Sequence, residues 1–164
     1  MGKQLQKYTQ FPMRPTTAVI QIEAAPTLST TDGNWTTADQ IIDISVDTVH
    51  MDEGAASISA DAAFDLQLEP GIWQIEWMPL ITCAGTARDC EAAITNTGGT
   101  TVYAESGLSK YLAASAHRIR VFAHVHLTAA SEIQLRIRTS AAGLSITDEA
   151  IAGLVTKIGN VYET

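Results

Sequence analysis

The stretch RIRVFAHVHL at residues 118–127 decides the fold class. Its side chains alternate strictly in character, so on an extended strand the two kinds fall on opposite faces. The stretch therefore predicts a β-strand with one core face and one more polar face. The core set is Ile119, Val121, Ala123, Val125 and Leu127, and the opposite set is Arg118, Arg120, Phe122, His124 and His126.

A second stretch, residues 132–138, has the same period, with Ile133, Leu135 and Ile137 opposite Glu132, Gln134, Arg136 and Arg138. The short link Ala129–Ser131 between the two stretches predicts a hairpin. The pair then presents a cationic face on a globally acidic protein. That face either meets acids from another strand or subunit, such as Glu76, or binds an anion, and we favour the first interpretation.

Further short alternating segments fill most of the chain, separated by Gly, Pro, Asp or Ser clusters. No convincing helical periodicity is present, and Gly107–Ala116 is predicted to be a loop. Eight to ten short strands at this close spacing predict an all-β sandwich or barrel. The remaining predicted strands are Thr17–Glu23, Gln40–Asp47, Ala63–Glu69, Ile72–Thr82, Glu91–Thr97, Thr100–Glu105 and Ile151–Ile158.

Composition narrows the class of partner. The 164 residues suit one domain, and the formal charge of −8 argues against nucleic acid as the main partner. Only 17% of the residues are charged, so part of the surface is expected to be covered by further copies of the chain. We find neither a signal peptide nor an apolar run long enough for a membrane span, and we expect a protein made in a cytoplasm.

The first fifteen residues differ from the rest of the chain. They are polar, contain Pro12 and Pro15, and carry Lys3, Lys7 and Arg14 with no acidic residue. We therefore predict an extended, basic N-terminal arm over residues 1–15 and a single domain over residues 16–164.

No catalytic motif is present: there is no nucleophile elbow, P-loop, dinucleotide fingerprint or HExxH motif. His124 and His126 lie two residues apart on one strand face and could share a metal ion, but paired histidines more often only fill such a face. Cys83 and Cys90 lack further zinc ligands and are expected to be free thiols in a reducing compartment. We expect no enzyme, no cofactor and no metal.

Aromatic residues offer two candidate surfaces. Trp73 and Trp77 share a strand face with Ile75, which indicates either the core or an interface between copies. Tyr103 and Tyr111 flank the loop at residues 106–110, and they are the candidates for ligand binding at an exposed surface.

Three stretches carry a resemblance to a known family. FDLQLEPGIWQI at residues 64–75 combines a strand, a Pro-Gly turn and an aromatic-containing strand; residues 119–137 form a strand, a short link and a strand; and AIAGLVTKIG at residues 150–159 ends in an apolar-Lys-apolar-Gly phrase. In this order they resemble the globular head of the C1q/TNF-like jelly-roll family, including the trimeric heads of bacteriophage structural proteins. The resemblance covers residues 60–158 and, more weakly, 16–59.

The resemblance implies a jelly-roll β-sandwich of about ten strands that assembles as a homotrimer, with one sheet of each copy packed on the threefold axis. The trimer-interface candidates are then Trp73, Trp77, Arg118, Arg120, Phe122, His124 and His126.

The resemblance also implies a structural protein of a phage virion. The basic arm favours a capsid decoration or head-fibre protein that anchors on other virion proteins, such as the major capsid protein. The alternative is a receptor-binding tail-fibre tip that recognises host surface glycan, and an enzyme such as a depolymerase ranks third. Fold alone does not decide among these functions.

Overall fold

The computed structural model describes residues 17–22, 27–28, 35, 41–42, 44–50, 58–60, 65–83, 85–107, 109–111, 114–141, 143–147 and 149–159. The basic arm with Lys3, Lys7 and Arg14 lies outside these residues, as does the predicted domain boundary at residue 16. Within the described part of the chain, no helix is long and apolar enough to span a membrane.

All regular structure in the described residues is β-strand, as the alternating pattern predicts. The strands are β1 (Thr17–Ile22), β2 (Thr27–Leu28), β3 (Ile44–His50), β4 (Ile58–Ala60), β5 (Leu66–Leu68), β6 (Gly71–Trp77), β7 (Leu80–Cys83), β8 (Arg88–Asn96), β9 (Val102–Glu105), β10 (Ser109–Tyr111), β11 (Ser115–Arg118), β12 (Val121–Leu127), β13 (Ser131–Thr139), β14 (Leu144–Ile146) and β15 (Glu149–Gly159).

These strands form three antiparallel sheets. The first sheet has the order β12-β6-β15-β1-β3, and the second has the order β10-β8-β13-β5-β4 with β9 also paired to β8. A smaller third sheet has the order β11-β7-β14-β2. Strands that follow each other in the chain are mostly not neighbours, so the sheets are held by long-range pairing.

The core is one cluster of apolar side chains shared by the sheets. The first sheet contributes Ile75 and Val125, and the second contributes Ile94 and Leu135, all with 1% exposure or less. On β12 the burial alternates residue by residue, so the five predicted core residues from Ile119 to Leu127 are confirmed as buried. Burial of this apolar surface is the main stabilising contribution to the fold.

The predicted hairpin at Ala129–Ser131 is wrong. β12 pairs with β6 in the first sheet, whereas β13 pairs with β8 and β5 in the second. The link between β12 and β13 therefore crosses from one sheet to the other. Alternation reports which side of a strand is buried, but it does not identify the neighbouring strand.

Two predicted strands are each divided in two. The segment predicted at Ile72–Thr82 becomes β6 and β7, with a break at Pro79, which lacks a backbone donor. The facing segment breaks at the same level into β11 and β12, and Ile119 N donates to the Pro79 carbonyl at 3.3 Å. Both segments therefore pass between the first and third sheets at the same level. β6 and β12 lie in the first sheet, and β7 and β11 lie in the third. Part of the loop predicted at Gly107–Ala116 consequently lies in β10 and β11.

The second face of β13 also differs from prediction. Gln134 and Arg136 are 4% and 1% exposed, so these two predicted polar-face residues are buried. The Arg136 guanidinium donates to Oε1 of Gln134, and Gln134 Nε2 donates to Asp65 Oδ2 at 3.1 Å. The three polar side chains are thus linked by hydrogen bonds, which offset part of the cost of burying them.

Candidate functional site

The outward side of the first sheet is the candidate functional surface. Trp73, Ile75 and Trp77 of β6 point into the core and are fully buried, whereas Ile72 on the same strand is 36% exposed. We call this surface the outer face. It comprises Phe122, His124 and His126 of β12, Ile72, Gln74 and Glu76 of β6, Leu154, Thr156 and Ile158 of β15, and Thr17, Val19 and Gln21 of β1.

Apolar side chains are concentrated on the outer face. Of the large hydrophobic residues exposed in the described part of the chain, Ile72, Phe122, Leu154 and Ile158 lie here, and only Val102 lies elsewhere, on β9. Ile158 is 50% exposed and Phe122 is 42% exposed. Exposed apolar residues gathered on one face, here interspersed with polar ones, are typical of an interaction site in a folded protein.

The strand register brings these residues into rows. In one row Phe122 lies opposite Glu76, and Leu154 lies opposite both Glu76 and Val19. In the next row His124 lies opposite Gln74, which is opposite Thr156. The outer face is therefore a continuous surface across four strands, because opposite residues in antiparallel strands have adjacent side chains.

One ion pair belongs to this surface. Arg120, just before β12, donates from Nε to Oε1 of Glu76 at 2.5 Å. On the second sheet, Arg138 binds Glu91 in the same way, with Nε 2.5 Å from Oε2. The interpretation that acids of other strands meet the predicted cationic side chains is confirmed at Arg120, and the outer face carries little unbalanced charge there.

Comparison with known proteins relates this architecture to solved structures. No protein-family model matches the sequence, and no curated protein does. The Eiger TNF structure from S. frugiperda matches with a TM-score of 0.56 at 11% identity, over 92% of this chain and 97% of that one. A murine APRIL structure at pH 8.0 matches with a TM-score of 0.55 at 10% identity, over 88% of this chain and 100% of that one.

A second murine APRIL structure, at pH 8.5, matches with a TM-score of 0.52 at 9% identity, with coverage of 88% and 100%. The chain has a TNF-like jelly-roll fold. The predicted all-β jelly roll is thereby confirmed. At these identities the likeness establishes the fold, and it leaves the activity of this TNF-like domain to its own residues.

Trp73 and Trp77 are corrected from interface candidates to core residues. Both are 0% exposed in a single TNF-like domain, so neither side chain offers a surface to another copy. Trp73 is fixed by a 2.9 Å hydrogen bond from Nε1 to the Glu69 carbonyl. Their size and their position between the sheets explain the burial, since large aromatic side chains dominate core energetics.

The other predicted site residues are distributed over several elements. Phe122, His124 and His126 lie on the outer face, and Arg118 lies on β11, where Nη1 donates to the Met78 carbonyl at 2.7 Å. Tyr103 is half-buried and packs against the core, which reduces the surface available to a ligand. Of Tyr111 the structure describes only the position at the end of β10.

Sequence reasoning missed three apolar members of the outer face, namely Ile72, Leu154 and Ile158. A signal for two of them was present in β15. There Leu154 and Ile158 fall on the same face as the polar Thr156, whereas Val155 falls on the core face. A strand with apolar residues on both faces is expected only where both faces are covered.

The outward side of the second sheet is already occupied by polar contacts. Asp65, Gln134 and Arg136 form the buried chain described above, and Gly98 N donates to Gln134 Oε1 at 3.2 Å. Burial lowers the pKa of Arg136, and the charge of Asp65 opposes this change. This side therefore offers less free apolar surface than the outer face does.

The two cysteines are free thiols in the structure, and both are buried. Burial, assisted by the charge of Glu91, raises the pKa of Cys90 to about 12. A buried thiol with such a pKa is a poor nucleophile at neutral pH. Among the described residues, no three or more His, Cys, Asp or Glu side chains are grouped to hold a metal ion.

Proposed function

We propose that this TNF-like domain is a homotrimeric structural protein of a bacteriophage particle, a capsid decoration or head-fibre protein anchored by its N-terminal arm, and not an enzyme. One observation carries the proposal: four of the large hydrophobic residues exposed in the described chain share the outer face. Burying them against further copies removes apolar surface from water, which is the main driving force for association.

The outward side of the second sheet is a weaker candidate for an interface between copies than the outer face is. On the outward side of that sheet, Asp65, Gln134 and Arg136 are buried and hydrogen-bonded to one another within one copy. The outer face has no comparable cover from the described residues, and its main charged pair, Arg120 with Glu76, is internally balanced. A rotational trimer needs one patch to meet a different patch on the next copy, and a face spanning four strands offers room for both.

The phage setting is supported by sequence. The stretches within residues 60–158 resemble trimeric phage heads, and the arm carries Lys3, Lys7 and Arg14 ahead of an otherwise acidic chain. A basic arm on an acidic domain is suited to bind an acidic surface, such as that of a capsid shell.

Assembly is tested by native mass. Light scattering of the full-length protein at several concentrations should give about three times 17.5 kDa. A Phe122→Ser/Leu154→Ser double variant should dissociate, because it removes two apolar contacts from the outer face. Val102→Ser is the matched control, since Val102 is 39% exposed but lies off this face. A monomeric wild type, or a control that dissociates as readily as the double variant, contradicts the proposal.

Anchoring needs a separate test. A chain lacking residues 1–15 should keep the native mass of the wild type, whereas its cosedimentation with purified capsids should be lost. A triple variant that changes Lys3, Lys7 and Arg14 to Gln should bind capsids more weakly and with less dependence on salt. Full capsid binding by both variants would contradict anchoring by the arm.

The receptor-binding alternative depends on exposed aromatic rings. Tyr103 is half-buried against the core, and this placement disfavours a sugar platform at that residue. The alternative gains support only if the protein binds purified host surface glycan and Tyr103→Ala abolishes that binding while the native mass is unchanged.

A further inference from the structure

Two imidazoles stand side by side on the strand at the edge of the first sheet. Within the described residues, β12 pairs with β6 alone, so one of its edges carries no strand partner. His124 and His126 both point to the outer face of this strand, and both are exposed. They are therefore accessible from the same direction.

Neither imidazole is engaged by the rest of the described chain. No hydrogen bond or ion pair with a described residue involves His124 or His126. The one contact is between the rings of His124 and Phe122, whose centroids are 4.9 Å apart at an interplanar angle of 72°. This edge-on contact restricts the His124 ring and leaves the nitrogen lone pairs of both residues available.

The spacing suits a shared ligand. Residues two apart on a strand lie about 7 Å apart on the same face, so the two side chains can converge on one ion between them. Neutral imidazole nitrogen is a preferred ligand for Zn²⁺, Cu²⁺ and Ni²⁺. The strand backbone fixes the separation before binding, which lowers the ordering cost of chelation.

We propose that His124 and His126 form a two-imidazole site for a divalent transition metal ion on β12. The site is complete within one copy, with water in the remaining coordination positions. Both histidines also lie on the outer face that carries the proposed assembly contacts, so the site requires that β12, at the edge of the first sheet, stays open to water in the trimer.

The surrounding charges permit a cation. Arg120, two residues before the exposed Phe122, has its guanidinium bound to Glu76. Lys157 on β15, which is separated from β12 by β6, lies over the Trp73 ring with Nζ 5.4 Å from the centroid, on the inward side of the sheet. Gln74 and Ile72 are the residues directly opposite the two histidines, and both are uncharged. The net charge of −8 adds a favourable long-range field.

Calorimetric titration of untagged full-length protein with Ni²⁺ tests the site. We expect His124→Ala and His126→Ala each to weaken binding at least about tenfold, because either one destroys the chelate. The double variant should bind no more than background. His117→Ala is the matched control, since His117 is also exposed but lies on β11. Equal binding by wild type and double variant, or an equal loss in His117→Ala, overturns the proposal.

A spectroscopic readout identifies the ligands directly. Electron paramagnetic resonance of the Cu²⁺-loaded protein should show two coupled nitrogens in the wild type, one in each single variant and two in His117→Ala. A wild-type spectrum without nitrogen coupling overturns the proposal.

Native mass measured beside the titration separates this inference from the proposed function. A monomer that binds Ni²⁺ through the two histidines supports the metal site and contradicts the trimer. A trimer whose Ni²⁺ uptake is at background supports assembly and contradicts the metal site. One ion per copy supports a site complete in each chain, whereas one ion per three copies overturns that part of the proposal and indicates joint ligation.

Discussion

Trp35 and Glu105, seventy positions apart in the chain, are joined by a hydrogen bond in which the indole Nε1 donates to the carboxylate Oε1 at 2.5 Å. The Arg138 guanidinium lies over the same indole, 4.3 Å from the ring centroid. Trp35 is 5% exposed. The Trp35 side chain, between β2 and β3 in the chain, therefore contacts both β9 and β13 of the second sheet.

This contact predicts a graded response to substitution at Trp35. Trp35→Phe keeps an aromatic ring under Arg138 but removes the donor, so the free energy of unfolding should fall by about 1 kcal/mol. Trp35→Ala removes the packing as well and should cost about 3 kcal/mol or more. Urea denaturation measures both, and Glu105→Gln, which keeps an acceptor oxygen, is the control. Equal stability of the Phe and Ala variants would contradict this account.

Asp65, Gln134 and Arg136 form a buried series of hydrogen bonds. We therefore expect the effects of substitutions at Asp65 and Arg136 on stability to be strongly coupled. Arg136→Met leaves the Asp65 carboxylate buried without a compensating cation, so the protein should lose about 3 kcal/mol or more of stability. An Asp65→Asn change made together with Arg136→Met removes that charge and should recover a large part of the loss. A double-mutant cycle in urea measures the coupling, and additive losses would show that the two residues act independently.

Gly153 allows β15 to lie close against β6. A Cβ at this position would overlap the Glu76 carbonyl oxygen and lie 3.1 Å from the Trp77 Cα, both of them backbone atoms. Gly153→Ala should therefore lower the free energy of unfolding by about 2 kcal/mol through overpacking. Gly85→Ala is the matched control, since a Cβ there meets nothing within 4 Å. Thermal unfolding compares the two, and similar midpoints would contradict the prediction.

The raised pKa of Cys90 predicts that the protein loses stability at alkaline pH. The Cys90 pKa in the folded protein is raised to about 12, so between about pH 9 and 12 the unfolded state loses this proton while the folded state keeps it. The free energy of unfolding should then fall as pH rises through this range, by at most about 1.4 kcal/mol per pH unit, with no contribution below it.

Urea titrations at several pH values test this contribution against Cys90→Ala. The variant should lose less stability than the wild type across the alkaline range. Parallel pH profiles for wild type and Cys90→Ala would contradict the assignment.

Much of the strand architecture was predictable because burial within a strand follows backbone geometry. Each residue in a strand points opposite to the next, so the apolar alternation of β12 identified its buried side without knowledge of any neighbour. The same reasoning located β1, β8 and β13 to within a few residues. It also favoured an acid from another strand or subunit, such as Glu76, as the partner of the cationic face, and Arg120 binds Glu76.

The candidate site was only partly predictable, because a sequence does not state what covers a face. Phe122, His124 and His126 were identified, since alternation on one strand places them opposite the core residues and the family resemblance implies an interface there. Ile72, Leu154 and Ile158 were missed, because an exposed apolar residue looks like a core residue until the sheet is built. For the same reason, the sequence left Trp73 and Trp77 as either core or interface residues. Their complete burial shows that they belong to the core.

The sequence by itself determined the all-β class, the positions of most strands and the side of each strand that faces the core, because these depend on local chain geometry and a two-residue period. Only the tertiary structure decided that β12 joins β6 while β13 joins β8, that Gln134 and Arg136 are buried, and that the exposed apolar residues gather on one sheet. Strand partners are selected when distant segments close over a common core, and that closure depends on all the segments together.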